Sequence, residues 1–277
     1  MEPLRQLCCG PAAPQGRLND LLSILGSVIH RYGEKALNLI TNATDEDRTM
    51  FGSFVARKLL ETASSAILAR MDPTRFLILQ EYQMRAGGNY RAHERHAAAI
   101  AWTGDIIPDK PSSSLWSTET SPDKFVRSLF GGHLAEIAWP QAIEKFIAED
   151  ADRPASEWLE EISRLYEEKH RRTEVPPAQP TRIGQPPTTC IEVLGVFRSK
   201  AQDMYSSLSK GVHLEFVVDE TVILDSDTII QNIRTVVKFI TQMAYLSNQM
   251  DCIFTKVGRE QANQLLVDIE NRFEAAA

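Results

Sequence analysis

Arginine and histidine residues cluster in one short segment, which reads Arg91-Ala-His93-Glu-Arg95-His96 and follows Gly87-Gly88 and Tyr90. A guanidinium group binds phosphate through paired hydrogen bonds, and an imidazole can accept or donate a proton near neutral pH. The segment therefore predicts a phosphate- or RNA-binding site with Arg95 as a binding residue, and Arg91 and His96 as a candidate catalytic pair. The alternative is a solvated, charged start of a helix.

A second group of polar residues lies near the end of a predicted amphipathic helix. Ser209 and His213 are four positions apart, so that they share one side of a helix. His213 is open to three interpretations: a catalytic acid or base, a structural or helix-capping residue, or a residue that binds a ligand or partner. The candidate binding residues of this segment are Tyr205, Ser209, Lys210, His213 and Glu215.

The sequence Tyr-x-x-Leu-Ser-x-x-Val-His, which spans 205–213, resembles a pattern of prokaryotic helical proteins allied to the HEPN superfamily. Several of those proteins belong to abortive-infection and other antiviral systems. The resemblance covers roughly residues 190–250 and implies a HEPN-like bundle at the C-terminal end of the chain. In active members it implies a metal-independent ribonuclease, usually dimeric, in which an arginine stabilises the scissile phosphate and a histidine transfers protons. Here Leu208 stands where that arginine is expected, which favours a non-catalytic relative.

Metal and cofactor motifs do not emerge from the sequence. Glu167 and His170 form a single Glu-x-x-His pair, whereas a di-iron bundle needs two such pairs and two further glutamates. The four cysteines lack the paired spacing of a zinc site and predict reduced thiols, with acylation of Cys8-Cys9 as an alternative. Phosphate-loop, dinucleotide-binding and hydrolase signatures are also missing. We therefore expect neither a cofactor nor a metal.

The 277 residues have the composition of an ordinary globular protein, with 43% hydrophobic residues and a net charge of -7. An acidic chain argues against broad DNA or other non-specific nucleic-acid binding, although RNA remains a possible ligand of a local patch. The longest unbroken apolar run, 97–102, is too short to cross a bilayer, and the first residues do not read as a secretory signal. These features predict a cytoplasmic protein that does not bind membranes.

Apolar residues recur at spacings of three and four along most of the chain, which predicts helices. One stripe covers 18–29, with a break at Gly33 before a second helix at 34–40. Thr44 begins a capping box with Asp47, and the helix after it carries Phe51, Phe54, Val55, Leu59, Ala63, Ala66 and Ile67 on its apolar side. Further helices are predicted over 73–84, 121–140, 142–147, 156–171, 194–212, from a cap at Ser226, and over 262–273. Residues 214–224 predict a short strand or an extended connection.

These elements predict an all-α protein built from helical bundles. We expect a flexible N-terminal arm over 1–16, a helical domain over 17–172 and a HEPN-like bundle over 190–277. Five of the 14 prolines fall within 173–189, which is therefore a linker between domains or a crossover within one bundle. Residues 103–121 predict a long surface loop.

The leading functional hypothesis is a non-catalytic or weakly catalytic interaction module of a bacterial system for antiviral defence. Its helix around Tyr205–Glu215 would pack in a core or form the face of a homodimer. The expected partner is a second copy of the chain or a co-encoded protein. One alternative is a HEPN-type ribonuclease or toxin. Another is an adaptor for a co-encoded effector, which predicts an apolar surface patch on one helix.

Overall fold

A computed structural model of the chain describes residues 1–11, 16–84, 129–130, 134–148, 158, 190–210 and 225–275. These residues form eight α-helices, and no strand is found among them, which confirms the all-α prediction. The helices are α1 (Glu2–Cys9), α2 (Arg17–Thr41), α3 (Asp45–Met71), α4 (Pro73–Met84), α5 (Trp139–Ala148), α6 (Cys190–Lys210), α7 (Ser226–Ser247) and α8 (Arg259–Glu274). A π-helical segment, Leu134–Ala138, leads directly into α5. The loop at 103–121 and the segment at 214–224 lie outside the described residues.

The start of α3 follows from local sequence. Thr44 accepts a hydrogen bond from the Asp47 backbone N–H (3.1 Å), and its hydroxyl donates to the Asp47 carboxylate (2.9 Å). The first bond is the Thr44 half of the predicted capping box, and it satisfies an N–H group that the first turn leaves without a helical partner. The Asp47 carboxylate accepts from the Thr44 hydroxyl and not from the Thr44 backbone N–H. The helix ends at Met71, two residues before Pro73, because the residue that precedes a proline avoids the helical conformation.

The cap of α7 differs from the prediction by one residue. Asp225, not Ser226, accepts the hydrogen bond from the Thr228 N–H (2.7 Å). The Ser226 hydroxyl instead donates to the Asp45 carboxylate (2.8 Å) at the start of α3. The beginnings of α3 and α7 are therefore joined side by side.

The first residues are not the loose arm that the sequence predicts. Glu2–Cys9 forms α1, and Met1, Leu4, Leu7 and Cys8 are fully buried against the helices that follow. The apolar residues do have helical spacing, but the element is only two turns long, and Pro3 suggested an irregular segment. A proline in the first turn is compatible with a helix, because the backbone N–H there has no helical partner to lose.

The glycine at position 33 has a packing role and does not break the helix. α2 runs without interruption from Arg17 to Thr41, contrary to the predicted break. A Cβ atom at Gly33 would lie 2.7 Å from the Met1 Cβ, closer than two carbon atoms can pack. Gly33 therefore allows α1 to lie directly against α2, which is also why α1 can be buried.

The hydrophobic core is shared by helices from both sides of the proline-rich window. α3 packs against α2 on one side and against α7 on the other, and α1 contacts α2, α3, α7 and α8. Buried residues of all these helices belong to one continuous cluster. Of the two alternatives for 173–189, a crossover within one bundle explains why both sides share a core. Two domains joined by a linker would each have a core of their own.

Candidate interaction site

Two of the residues singled out in the sequence lie in the described part of the chain with their side chains. Tyr205 and Ser209 are both on α6, and Lys210 is its last residue. Arg91, Arg95, His96, His213 and Glu215 lie outside the described residues. Whether those side chains come together, and whether His213 shares the surroundings of Ser209, stays a prediction.

Tyr205 and Ser209 both contact an arginine that the sequence did not single out. The Arg57 guanidinium on α3 donates to the Tyr205 hydroxyl (2.9 Å) and to the Ser209 hydroxyl (3.4 Å). It also donates to the Glu61 carboxylate (3.0 Å), one helical turn further along α3. The Ser209 hydroxyl donates to the Tyr205 backbone carbonyl (2.7 Å). We call these four residues the Arg57 cluster; it joins α3 to α6.

The Arg57 guanidinium also lies against the Tyr205 ring, 4.8 Å from its centre. The Tyr205 side chain is buried, and those of Arg57 and Glu61 are only 19% and 18% exposed. Burial raises the pKa of the Tyr205 phenol, and Arg57 offsets this only in part. Burial opposes the charge of Arg57, but Tyr205 and Glu61 outweigh it and raise the pKa of Arg57. The cluster therefore contains a neutral phenol and a permanent cation.

The geometry of the cluster suits a structural contact better than a catalytic one. The motif lacks an arginine before Ser209, and the fold supplies one from α3, 152 positions away. However, three of the five N–H groups of the Arg57 guanidinium donate hydrogen bonds inside the bundle, one from each nitrogen, and the side chain is only 19% exposed. A phosphate-binding arginine needs a fork of accessible N–H groups. The Arg57–Glu61 pair has the spacing of a helical ion pair and is visible in the sequence, but its partner helix is not.

Large apolar side chains are exposed along the first half of α3. Met50, Phe51 and Phe54 are 61%, 48% and 47% exposed, and we call these three residues the apolar patch. At the edge of the patch, the Tyr32 ring of α2 lies edge-on to Phe54, with 6.1 Å between the ring centres. The apolar spacing predicts Phe51 and Phe54 on the core side of the helix, and for these two residues the prediction is wrong.

The two phenylalanines are exposed because small residues form the contact surface of α3. The residues that follow Phe51 are Gly52 and Ser53, and both are buried. A Cβ atom at Gly52 would lie 2.1 Å from the Ile229 Cγ2, so that α7 approaches the α3 backbone at this point. That approach fixes the rotation of α3 and leaves the aromatic side chains on the outer side. The remaining predicted core residues of the helix are buried: Val55, Leu59, Ala63, Ala66 and Ile67.

A cavity of about 350 Å³ lies between α7 and α8. Its walls include the apolar side chains of Trp158, Val237 and Phe273, together with charged groups of both signs such as Lys238 and Glu270. Trp158 also stacks on Phe146 and meets Tyr245 edge-on. The mixture of charges does not point to a particular class of ligand.

A fully buried arginine, Arg70, lies at the C-terminal end of α3. Burial lowers the pKa of Arg70 to about 10, so the side chain is still charged at neutral pH. It donates five hydrogen bonds of 2.7–3.2 Å, four of them to backbone carbonyls and one to the Asn248 side chain. The carbonyls belong to Leu7, Cys8, Phe254 and Thr255. Leu7 and Cys8 lie in the last turn of α1, where backbone carbonyls have no partner within the helix. Because Arg70 binds these carbonyls, we interpret it as a structural residue.

The adjacent cysteines lie beside Arg70 in the core. Burial raises the pKa of Cys9 to about 12 and that of Cys8 well above its ordinary value. Both thiols are therefore protonated and shielded in the folded chain, which argues against acylation there. Cys252 is exposed. In the part of the chain that the structure describes, no group of acidic, histidine and cysteine side chains could hold a metal ion.

None of the helices within the described ranges combines the length and apolar character that crossing a membrane requires. Comparisons with protein families, curated proteins and solved structures find nothing that matches this chain. The HEPN-like resemblance, and the antiviral role that it implies, therefore stays a prediction.

Proposed function

We propose that this protein is a non-catalytic helical interaction module and that it acts in a bacterial antiviral-defence system. The observation that carries the first part is the apolar patch on α3. The second part rests on the resemblance at 205–213.

The apolar patch has the character of a binding surface. Met50, Phe51 and Phe54 fall within little more than one helical turn, on a helix whose other side is packed in the core. Methionine and aromatic side chains are enriched at the centres of protein interfaces. Contiguous exposed apolar groups reduce solubility, so that a patch of this kind commonly marks a place where another surface binds.

The Arg57 cluster supports a non-catalytic role for the motif on α6. Tyr205 is buried in the core, and both Tyr205 and Ser209 accept hydrogen bonds from Arg57. The described part of the motif thus stabilises the contact between two helices. In this proposal the protein's interaction surface is the apolar patch on the outer side of α3.

A phage-protection assay tests the proposal, with the chain expressed from its own gene cluster. The variant Phe51→Ser/Phe54→Ser should lose protection while it retains the helical circular-dichroism spectrum. Val267→Ser is a matched control, because Val267 is 44% exposed on α8, away from the patch. The control should protect as well as the parent.

Active-site variants separate the proposal from a ribonuclease. Arg91→Ala/His96→Ala and His213→Ala should both retain protection. If the chain alone arrests growth, and one of these variants relieves the arrest, the protein is a toxin or ribonuclease and the non-catalytic proposal is wrong. If the gene cluster that encodes the parent protein gives no protection against any phage tested, the defence role is wrong.

A further inference from the structure

The outer side of α3 carries a self-complementary pattern of side chains. Asp47, Phe51, Phe54 and Lys58 are all exposed and follow one another at spacings of four, three and four. These spacings keep them along one side of the helix. An acidic residue thus lies at one end, a basic residue at the other, and two aromatic residues lie between them. We call these four residues the α3 stripe.

A two-fold axis through the middle of the stripe maps it onto itself. If a second α3 packs antiparallel with its centre between Phe51 and Phe54, Phe51 meets the partner's Phe54. The same operation brings Asp47 opposite the partner's Lys58. A symmetric dimer requires this relation, in which residue i contacts residue j and j contacts i. The contact would contain two aromatic pairs and two ion pairs.

The charged ends of the stripe are placed to make such pairs. Asp47 is exposed in the first turn of α3, where its carboxylate accepts a hydrogen bond from Thr44. The Lys58 side chain is 46% exposed, and its ammonium lies 3.9 Å from the Glu61 carboxylate. Neither end is enclosed by the bundle.

We propose that the apolar patch binds a second copy of this chain, so that the protein forms a symmetric dimer through antiparallel α3 helices. This inference rests on the proposed function as an interaction module and names the partner. The order acidic, aromatic, aromatic, basic is complementary to itself when the helix is reversed. A second copy always presents this complementary order, whereas an unrelated protein would have to match it by its own sequence, so we favour a second copy as the partner. The contact involves one helix from each protomer and is therefore small, so association should depend on concentration.

Sedimentation velocity of the full chain over a range of concentrations tests the inference. The parent should shift from monomer to dimer as concentration rises, and Phe51→Ser/Phe54→Ser should remain monomeric. Each single reversal, Asp47→Lys or Lys58→Asp, should weaken the dimer by about tenfold, since like charges then face each other twice. The double reversal Asp47→Lys/Lys58→Asp should restore most of the affinity, because opposite charges pair again across the axis.

A matched control separates dimerisation from helix stability. Glu46→Lys makes the same change of charge in the same exposed turn, but off the stripe, and should leave the dimer unchanged. Asp47→Lys also removes the carboxylate from the Thr44 cap, so thermal unfolding of every variant is measured beside it. Asp47→Asn keeps an acceptor for Thr44 and should weaken the dimer without altering the cap.

Three results would overturn the inference: a parent that is monomeric at every concentration, a dimer that Phe51→Ser/Phe54→Ser leaves intact, and a double reversal that is no tighter than the single ones. The outcomes also distinguish the two proposals. A monomeric parent whose phage protection is lost in Phe51→Ser/Phe54→Ser keeps the interaction module and rejects the second copy. If Phe51→Ser/Phe54→Ser abolishes the dimer but leaves phage protection intact, the dimer is supported and the proposed function is rejected.

Discussion

At the scale of single residues, two arginines of the described part of the chain join helices. Arg57 joins α3 to α6, and Arg70 joins the end of α3 to the end of α1. Both are cations with little exposure, and both donate to groups on other helices. Because a buried polar group is costly when its partner is lost, these contacts should be visible in stability measurements.

Tyr205→Phe tests the Arg57 cluster directly. The substitution keeps the ring against the Arg57 guanidinium but removes the hydroxyl that accepts its hydrogen bond (2.9 Å). We expect the free energy of unfolding to fall by about 1.5 kcal/mol, within the range for hydrogen bonds to charged groups. Urea denaturation followed by circular dichroism measures the change. Tyr32→Phe, at a half-buried ring at the edge of the bundle, is the control and should change stability by less than about 0.5 kcal/mol. Equal stability of Tyr205→Phe and the parent would contradict a structural role for the cluster.

The residue scale also shows what a sequence can and cannot predict about this site. Tyr205, Ser209 and the Thr44 cap are recognisable because their signals are local: a spacing on one helix, or a capping box. Arg57 is not recognisable as the partner of Tyr205, because the two residues are 148 positions apart and only the packing of α3 on α6 brings them together. Contacts between distant helices carry no periodic signal along the chain.

At the scale of elements, the close contact between α3 and α7 determines which side of α3 is exposed. Gly52 provides the space for Ile229, and the exposure of Phe51 and Phe54 follows from it. A side chain at position 52 would have to push α7 away or rotate α3. The contact is therefore both a packing device and the feature that presents the apolar patch.

Gly52→Ala should destabilise the protein even though alanine favours helices. The added methyl group would lie 2.1 Å from the Ile229 Cγ2, and overpacking of this kind costs about 1–3 kcal/mol. Gly195→Ala on α6 is the matched control, because a Cβ atom there would meet nothing within 4 Å. The control should gain up to about 1 kcal/mol from helix propensity. Chemical denaturation of both variants gives the comparison, and a stabilised Gly52→Ala would show that the two helices are not in close contact.

A compensating variant tests whether the stability lost in Gly52→Ala comes from the contact with Ile229. Ile229→Leu removes the methyl branch at Cβ while it keeps the number of side-chain carbons. In the double variant Gly52→Ala/Ile229→Leu, we expect the loss to be smaller than the sum of the two single losses. If the loss of stability in the double variant equals the sum of the two single losses, the strain of Gly52→Ala does not come from the Ile229 side chain.

The elements were predictable where the apolar pattern is long and single-sided. The stripes of α6, α7 and α8 predict their helices, and Asp72-Pro73 predicts the end of α3. The stripe at 18–29 predicts the first half of α2, but the break predicted at Gly33 is wrong. The pattern failed for α1, which is only two turns long and contains Pro3, and for Phe51 and Phe54. There, apolar residues occur on both sides of the helix, so that periodicity alone does not say which side meets the core. The small residues Gly52 and Ser53 decide this, through a neighbour that is distant in sequence.

At the scale of the whole molecule, helices from the two sides of the proline-rich window share one core. α7 is buried almost continuously from Val236 to Ser247, and α3 provides much of the surface that covers it. Arg70 adds a polar connection, since it donates to Asn248 and Thr255 as well as to α1. A C-terminal bundle that was complete by itself would not need these contacts.

A fragment of residues 190–277 should therefore not fold on its own. Removal of α3 would expose the side of α7 that contains Ile229, Ile233 and Val236, and would leave Asn248 without Arg70. We expect the fragment to show reduced helicity and no cooperative thermal transition by circular dichroism. Addition of a fragment of residues 1–189 should restore helicity if the two parts complete one core. Cooperative unfolding of 190–277 alone would instead identify an independent C-terminal domain, with 173–189 as its linker. The result matters for the HEPN-like resemblance, which covers only this side of the window, because a bundle that needs α3 cannot be understood from its own helices alone.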